Sequence, residues 1–157
     1  MKKKLSLVLL FVSMATLFLT LSGCGEKGPN TAGSSRFTGL YENTIKPNCA
    51  SCHVPSGEVY REGKVLLDFS TKSSAYNTLT SKLSVSPSAQ YCEGIAYVTA
   101  GDPNSSYLAA ILIESYSSVN FAGKVNCVPY NIHLMDQQLS EEEKSNIIAW
   151  INEGAAQ

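Results

Sequence analysis

The chain has 157 residues, with 12 Lys and Arg against 13 Asp and Glu, and its net charge is −1. The length suits one domain with a modest core. The charge balance argues against the basic stripe that a nucleic-acid partner requires, so we expect no such partner.

Residues 1–23 have the pattern of an export signal. Lys2, Lys3 and Lys4 precede an uncharged apolar run from Leu5 to Leu21, and this is the order of the n-region and h-region of a signal peptide. An uncleaved membrane anchor is the alternative, because 17 apolar residues are near the lower limit for spanning a bilayer.

The apolar run ends in Leu21-Ser22-Gly23-Cys24, which resembles the bacterial lipobox. That resemblance predicts lipidation of Cys24 and cleavage before it, so that the domain faces the periplasm on a lipid anchor. Gly25 stands where an Asp would signal inner-membrane retention, which favours the outer membrane. Removing residues 1–23 takes three of the 12 Lys and Arg and none of the 13 Asp and Glu, which leaves a net charge of −4.

A flexible tether is predicted over 24–35, which is rich in Gly, Ser and polar residues and lacks an apolar period. One domain follows over 36–157. Its first helix is predicted from Arg36 to Pro47, where Pro47 should end it, and Gly39 indicates close packing against another helix. One face of this helix carries the residues Phe37, Leu40, Tyr41, Thr44 and Ile45.

Directly after this helix stands Cys49-Ala50-Ser51-Cys52-His53. In the C-x-x-C-H pattern two thiols add across the vinyl groups of a haem, and the adjacent His ligates the iron. Composition alone predicts roughly 0.002 chance occurrences of this pattern, so it is a specific signal. A thioredoxin-like dithiol or a zinc site is the competing interpretation, but a dithiol of that kind needs a preceding strand.

The central region is predicted to be mainly helical. Val65–Phe69 is either a short strand or an apolar loop, and a short helix is expected over Ser73–Leu83. A further helix should open at Asp102 or Asn104 with Pro103. The apolar residues of that helix are Tyr107, Leu108, Ile111 and Leu112.

Cys92 and Cys127 remain once Cys24, Cys49 and Cys52 have been assigned. In an oxidising compartment they should pair with each other. The loop that they close would stabilise the fold by roughly 3 to 4 kcal/mol in the chain-entropy model.

The sixth ligand of a haem iron in an electron carrier is most often Met or His. Met1 and Met14 lie in the signal, so Met135 is the one Met of the mature chain, and His133 is its one His besides His53. We favour Met135 as the ligand, with His133 and an open sixth position as alternatives.

The last helix has the clearest start and end signals. Ser140 as N-cap and Glu143 three residues later form a capping box, and Gly154 should end the helix. Its predicted buried face carries Ile147, Ile148, Trp150 and Ile151.

Over 36–157 these features resemble the single-haem class I cytochrome c domains. The likeness rests on the helix leading into CASCH, on Gly101–Leu108, on Met135, and on the ending Trp150–Ala155. It implies an all-α cytochrome c fold of about four helices around one covalently bound haem c, with the N- and C-terminal helices in contact.

The resemblance also implies the roles of the site residues. Cys49 and Cys52 would form the thioethers, His53 would be the proximal ligand and Met135 the distal ligand. The protein would then pass single electrons to redox proteins of the periplasm or membrane. The alternatives are a haem enzyme or a gas or peroxide sensor with an open sixth site, and a haem subunit of a larger oxidoreductase.

Two features depart from the family pattern. Asp136 follows Met135 where the family often has Pro. The pair Cys92 and Cys127 is not a general family feature, and we expect it to restrain the loop leading to Met135.

Overall fold

The computed structural model describes residues 33–57, 67–85, 90–131 and 139–157, and gives the backbone alone at 33–35, 90 and 131. Several predicted features lie outside the described residues. They are the signal peptide, the lipidation residue Cys24, most of the tether, Val65 and Leu66, and the candidate ligands His133 and Met135.

Helices form the regular structure of the described residues, which confirms the prediction of an all-α protein for this part of the chain. Strand-like pairing there is limited to an isolated antiparallel bridge between Leu83 and Ala96. The helices are α1 Gly33–Leu40, α2 Lys46–Cys49, α3 Lys72–Ser81, α4 Tyr107–Leu112 and α5 Glu141–Asn152. Within the described ranges, none of the helices has the length and apolar character needed to cross a membrane.

The first helical stretch is longer than predicted, and it changes its winding in the middle. It begins at Gly33, and α1 continues through a π-helical segment, Tyr41–Ile45, into α2. The prediction that Pro47 ends the helix is therefore wrong. A proline ring inside a helix collides with the carbonyl four residues earlier, and the wider π turn directly before α2 provides room for the ring.

The predicted apolar face of the first helix is buried, with Phe37, Leu40, Tyr41, Thr44 and Ile45 each at most 5% exposed. The prediction that Gly39 marks a close helix contact is wrong, because a Cβ at this position would have no neighbouring atom within 4 Å. Glycine is thus not required at this position for packing.

The first and last helices are in contact through aromatic side chains. The ring centroid of Phe37 lies 5.0 Å from that of Trp150 and 5.2 Å from that of Tyr76 on α3. Phe37 and Trp150 are both buried. Three helices therefore meet around one aromatic cluster, with an Arg36–Glu153 ion pair at its edge.

The segment before α3 is an apolar loop where it is described. Leu67, Asp68 and Phe69 adopt neither helix nor strand, and the side chains of Leu67 and Phe69 are buried. Thr71 then caps α3, because its hydroxyl accepts a hydrogen bond from the Ser74 amide. The helix predicted over Ser73–Leu83 is confirmed with small shifts of its ends.

Helix α4 follows a 3₁₀ turn, Pro103–Ser105. The Asp102 carboxylate caps this turn by accepting hydrogen bonds from the amides of Asn104 and Ser105. The predicted opening of the helix by Asp102 with Pro103 is confirmed, although one 3₁₀ turn precedes the α-helix proper.

The capping box of α5 is confirmed. The Ser140 hydroxyl accepts from the Glu143 amide, and the Glu143 carboxylate accepts from the Ser140 amide. Gly154 follows the helix with a φ of +88°, the left-handed conformation expected at the end of a helix. Ile147, Trp150 and Ile151 are buried as predicted, whereas Ile148 is only partly buried.

The open space beside Gly39 leads to a stability prediction. Replacing Gly39 by Ala should raise the free energy of unfolding by about 0.5 to 1 kcal/mol, because Ala restricts the unfolded backbone and meets no steric obstacle in the fold. Urea denaturation followed by circular dichroism would measure the change. Gly154→Ala is the control and should destabilise the protein, because φ at this position is +88°.

Candidate functional site

The CASCH residues form one turn at the carboxyl end of α2. Cys49 is the last residue of α2, and its carbonyl accepts hydrogen bonds from the amides of Cys52 (3.2 Å) and His53 (3.0 Å). Cys49 and Cys52 are free thiols, and both are half-buried. Two thiols and one imidazole therefore share a single turn, an arrangement that fits covalent attachment and axial ligation of a haem.

The backbone of His53 is fastened to the apolar loop before α3. The Phe69 amide donates to the His53 carbonyl at 2.7 Å, and the two rings lie 5.4 Å apart. The Tyr41 hydroxyl in turn donates to the Phe69 carbonyl at 3.2 Å. The π-helical segment thus supports His53 through Phe69.

Gly57 closes the turn after His53. Its amide donates to the Val54 carbonyl at 2.7 Å. A Cβ at Gly57 would collide with the Cys52 carbonyl oxygen, far inside van der Waals contact. The close approach of these two backbone segments therefore requires glycine at position 57.

The Cys49 thiol is held in its protonated form. Burial, the negative charge of Glu143 and the neighbouring Cys52 raise its pKa to about 11. Its position at the carboxyl end of a helix also disfavours a thiolate, since the helix dipole places negative partial charge there. Attacking thiols of dithiol oxidoreductases have lowered pKa values and often lie at helix amino ends.

Glu143 links the residue before Cys49 to the start of α5. Its Oε1 accepts a hydrogen bond from Asn48 Nδ2 at 2.8 Å, and the same amide donates to the Thr44 carbonyl at 2.9 Å. Hydrogen bonds from the Ser140 amide, and further ones from the side chains of Ser140 and Asn48, lower the pKa of Glu143. A charged carboxylate therefore joins two segments that are 95 residues apart in sequence.

Cys92 and Cys127 form a disulfide that closes a separation of 35 residues. Both half-cystines are buried. Cys127 ends a compact loop in which the Cys127 carbonyl accepts from the Phe121 amide at 3.1 Å and the Asn126 amide donates to Asn120 Oδ1 at 2.8 Å. Asn120 and Asn126 both have positive φ, a conformation that Asn tolerates better than most residues.

The described residues on both sides of 132–138 are fixed in the fold. On the amino side Pro129 is buried and the Tyr130 amide donates to Ser117 Oγ at 3.1 Å. On the carboxyl side Leu139 is buried and Ser140 caps α5. The described residues that flank 132–138 are thus held in the fold on both sides, and on the carboxyl side Glu143 of α5 bonds to Asn48.

In the described part of the chain, no group of three or more His, Cys, Asp and Glu side chains could hold a metal ion. Neither a protein-family model nor a curated protein nor a solved structure matches the chain. The site is therefore interpreted from its own residues.

The sequence did not reveal the supporting residues of the site. Gly57 follows Pro55 and Ser56 in a turn-like composition, and this could have indicated a tight turn but not its contact with Cys52. The hydrogen bond from Tyr41 to the Phe69 carbonyl joins residues 28 apart in sequence. The Asn48–Glu143 hydrogen bond joins residues so far apart that no local pattern could indicate it.

Replacing Gly57 by Ala should distort the turn that carries both thiols. The new methyl would meet the Cys52 carbonyl, so we expect the free energy of unfolding to fall by about 1 to 3 kcal/mol. Urea denaturation checks this, with the exposed neighbour Ser56→Ala as control. Equal stability of the Gly57→Ala and Ser56→Ala variants would contradict the requirement for glycine.

The raised pKa of Cys49 predicts slow alkylation at neutral pH. In a chain produced without haem, with the Cys92–Cys127 disulfide formed and carrying Cys52→Ser, the rate of iodoacetamide reaction at Cys49 should rise with pH until about pH 11. Peptide mass mapping would measure it, and the same chain in urea should titrate near the ordinary thiol pKa of about 8.5. A plateau near pH 7 in the folded chain would instead indicate an activated dithiol.

Proposed function

We propose that this chain is a lipid-anchored c-type cytochrome of the cell envelope that transfers single electrons. The observation that carries the proposal is the arrangement of two free, half-buried thiols and an imidazole on one turn at the end of α2. A haem bound there supplies an iron that alternates between the ferric and ferrous states. The protein would be a class I cytochrome c domain attached to lipid through Cys24.

Each residue of the turn has a separate role in this proposal. The Cys49 and Cys52 thiols would each add across a vinyl group of the haem, with sulfur bonding to one carbon and hydrogen to the other, so the addition would need no oxidant. His53 serves as the proximal ligand. Its backbone is fixed by the Cys49 carbonyl and by the Phe69 amide, and this restricts where the imidazole can lie.

The haem interpretation is favoured over the dithiol interpretation by the setting of Cys49. The thiol is partly buried, sits at the carboxyl end of α2, and has a raised pKa. These conditions keep the thiol protonated, which is unfavourable for disulfide exchange.

The contact between the first and last helices supports the proposed cytochrome c fold. In such domains these helices pack against each other, and the rings of Phe37 and Trp150 are 5.0 Å apart in this chain. If α1, the π-helical segment and α2 are counted as one continuous stretch and the short 3₁₀ turns are left aside, the described residues contain four helical stretches, the number that the resemblance implies.

Met135 is the proposed distal ligand. Its segment begins after the turn Pro129–Asn131 and ends at Leu139, and both neighbouring regions are anchored. A thioether ligand favours the ferrous iron and raises the reduction potential relative to two imidazoles. The protein would then be a relatively oxidising carrier.

The partners would be redox proteins of the periplasm or membrane, reached from a lipid anchor in the outer membrane where the source cell has one. The net charge of −4 for residues 24–157 disfavours nucleic acid as a partner. A haem subunit of a larger oxidoreductase would contain the same site, and co-purification from envelope membranes would distinguish it from a free carrier.

An ultraviolet-visible spectrum of the matured protein tests the proposal. We expect a covalent haem with a low-spin spectrum and a weak long-wavelength sulfur-to-iron band, which Met135→Ala should abolish while His133→Ala retains it. Cys49→Ser with Cys52→Ser should abolish covalent attachment. A high-spin haem that binds carbon monoxide readily would instead favour the enzyme or sensor with an open sixth site.

A further inference from the structure

We propose that Glu143 is a positioning residue that connects the haem-attachment turn (residues 49–53) to the start of α5, the helix that follows the Met135 segment (132–138) in sequence. The inference rests on the proposed function, because it concerns how the two ligand-bearing segments are held relative to each other. Glu143, the acidic residue of the α5 capping box, thereby has a second role in contacting a distant helix.

The two carboxylate oxygens of Glu143 serve different segments. Oε2 accepts hydrogen bonds from the Ser140 amide (2.8 Å) and the Ser140 hydroxyl (2.9 Å), which complete the capping box. Oε1 accepts from Asn48 Nδ2 at 2.8 Å. An ordinary capping box needs the first set of bonds alone, so the bond to Asn48 requires a separate explanation.

Asn48 is placed to transmit this bond directly to the attachment turn. It precedes Cys49 in α2, and its side-chain amide also donates to the Thr44 carbonyl at 2.9 Å. The side chain is therefore held from two sides. Because the hydrogen bond to Glu143 involves an ionised acceptor and is partly buried, it is stronger than a bond between neutral groups.

The bond also fixes the angle between the first and last helices. The Phe37–Trp150 contact by itself would allow the helices to pivot about the aromatic rings. Glu143 lies seven residues before Trp150, or about 10 Å along α5, and provides a second attachment point. Together with the contacts of Phe37 and Arg36 near the other end of α5, this bond restricts the orientation of the first helical stretch relative to α5.

Loss of the Asn48–Glu143 hydrogen bond should therefore weaken the bond between Met135 and the iron at temperatures below those at which the protein unfolds. Asn48→Ala removes the bond between segments and leaves the capping box intact. Asn48→Asp places a second carboxylate against Glu143 and should have a larger effect. Glu141→Gln is the matched control, because it removes one acid from the same helical turn, and Glu141 contacts Lys144 on its own helix.

The experiment uses the full, haem-loaded chain and follows the sulfur-to-iron band on warming, with global unfolding followed by circular dichroism. In Asn48→Ala we expect the equilibrium constant for loss of the band to rise about tenfold, with a smaller change in unfolding. Glu141→Gln should behave as the unsubstituted protein. An unchanged band in Asn48→Ala, or an equal effect in Glu141→Gln, would overturn the proposal.

Hydrogen exchange at the amides of Cys52 and His53 separates this inference from the proposed function. These amides bond to the Cys49 carbonyl, so loosening of the turn should accelerate their exchange about tenfold in Asn48→Ala but not in Glu141→Gln. Absence of covalent haem or of the band in the unsubstituted protein would count against the proposed function. Unchanged exchange in Asn48→Ala would count against the role of Glu143, whatever the haem content.

Discussion

The packing of Phe37 against Trp150 is the contact on which the rest of the described structure depends. Both side chains are buried, and Tyr76 of α3 completes the cluster. Because the contact fixes the rotation of the first helical stretch, it also fixes which residues of the π-helical segment face the core. Tyr41 can then reach the Phe69 carbonyl, and Phe69 in turn restrains His53. The turn of residues 49–53 is therefore positioned by packing that begins more than ten residues before it.

The features predicted correctly from sequence are those governed by short-range interactions. Ser140 and Glu143 lie within one helical turn, so their capping box is visible in the sequence, and Gly154 satisfies a local need for positive φ. The failures have a different origin. Pro47 is accommodated within the helix by the π turn before it, an irregular winding that the apolar period of the sequence does not indicate, and the space beside Gly39 depends on elements distant in sequence.

The candidate site shows the same division. Cys49, Cys52 and His53 are identified by their spacing, and the structure places them on one turn. The groups that support this turn are separated from it in sequence, as the Asn48–Glu143 bond shows. A partly buried amide and a partly buried carboxylate each need a hydrogen-bond partner, and this can be predicted from general principles. Which amide meets which carboxylate depends on the tertiary fold.

The central and carboxyl-terminal loops are stabilised by polar groups and a disulfide rather than by long helices. Buried Ser84 bridges two loop segments, donating to the Cys92 carbonyl and accepting from the Ile95 amide. The Ser106 hydroxyl likewise donates to the Asp102 carbonyl and accepts from the Thr99 amide. Each hydroxyl satisfies buried backbone groups that would otherwise destabilise the fold by about 1 to 3 kcal/mol. Loops restrained in this way can keep a fixed conformation without regular structure.

This distribution of restraints agrees with the proposed chemistry. Covalent thioethers would secure the haem to the turn after α2, whereas the bond from Met135 would be a single coordination bond from a segment outside any described helix. Such a bond persists only if the chain on both sides of the segment is already held in place, because otherwise ligation must offset the conformational entropy of the loop. The disulfide at Cys127 and the buried Pro129 restrain one side. Leu139 and the capping box at Ser140 restrain the other, so the flanking residues need not be ordered by the ligand bond itself.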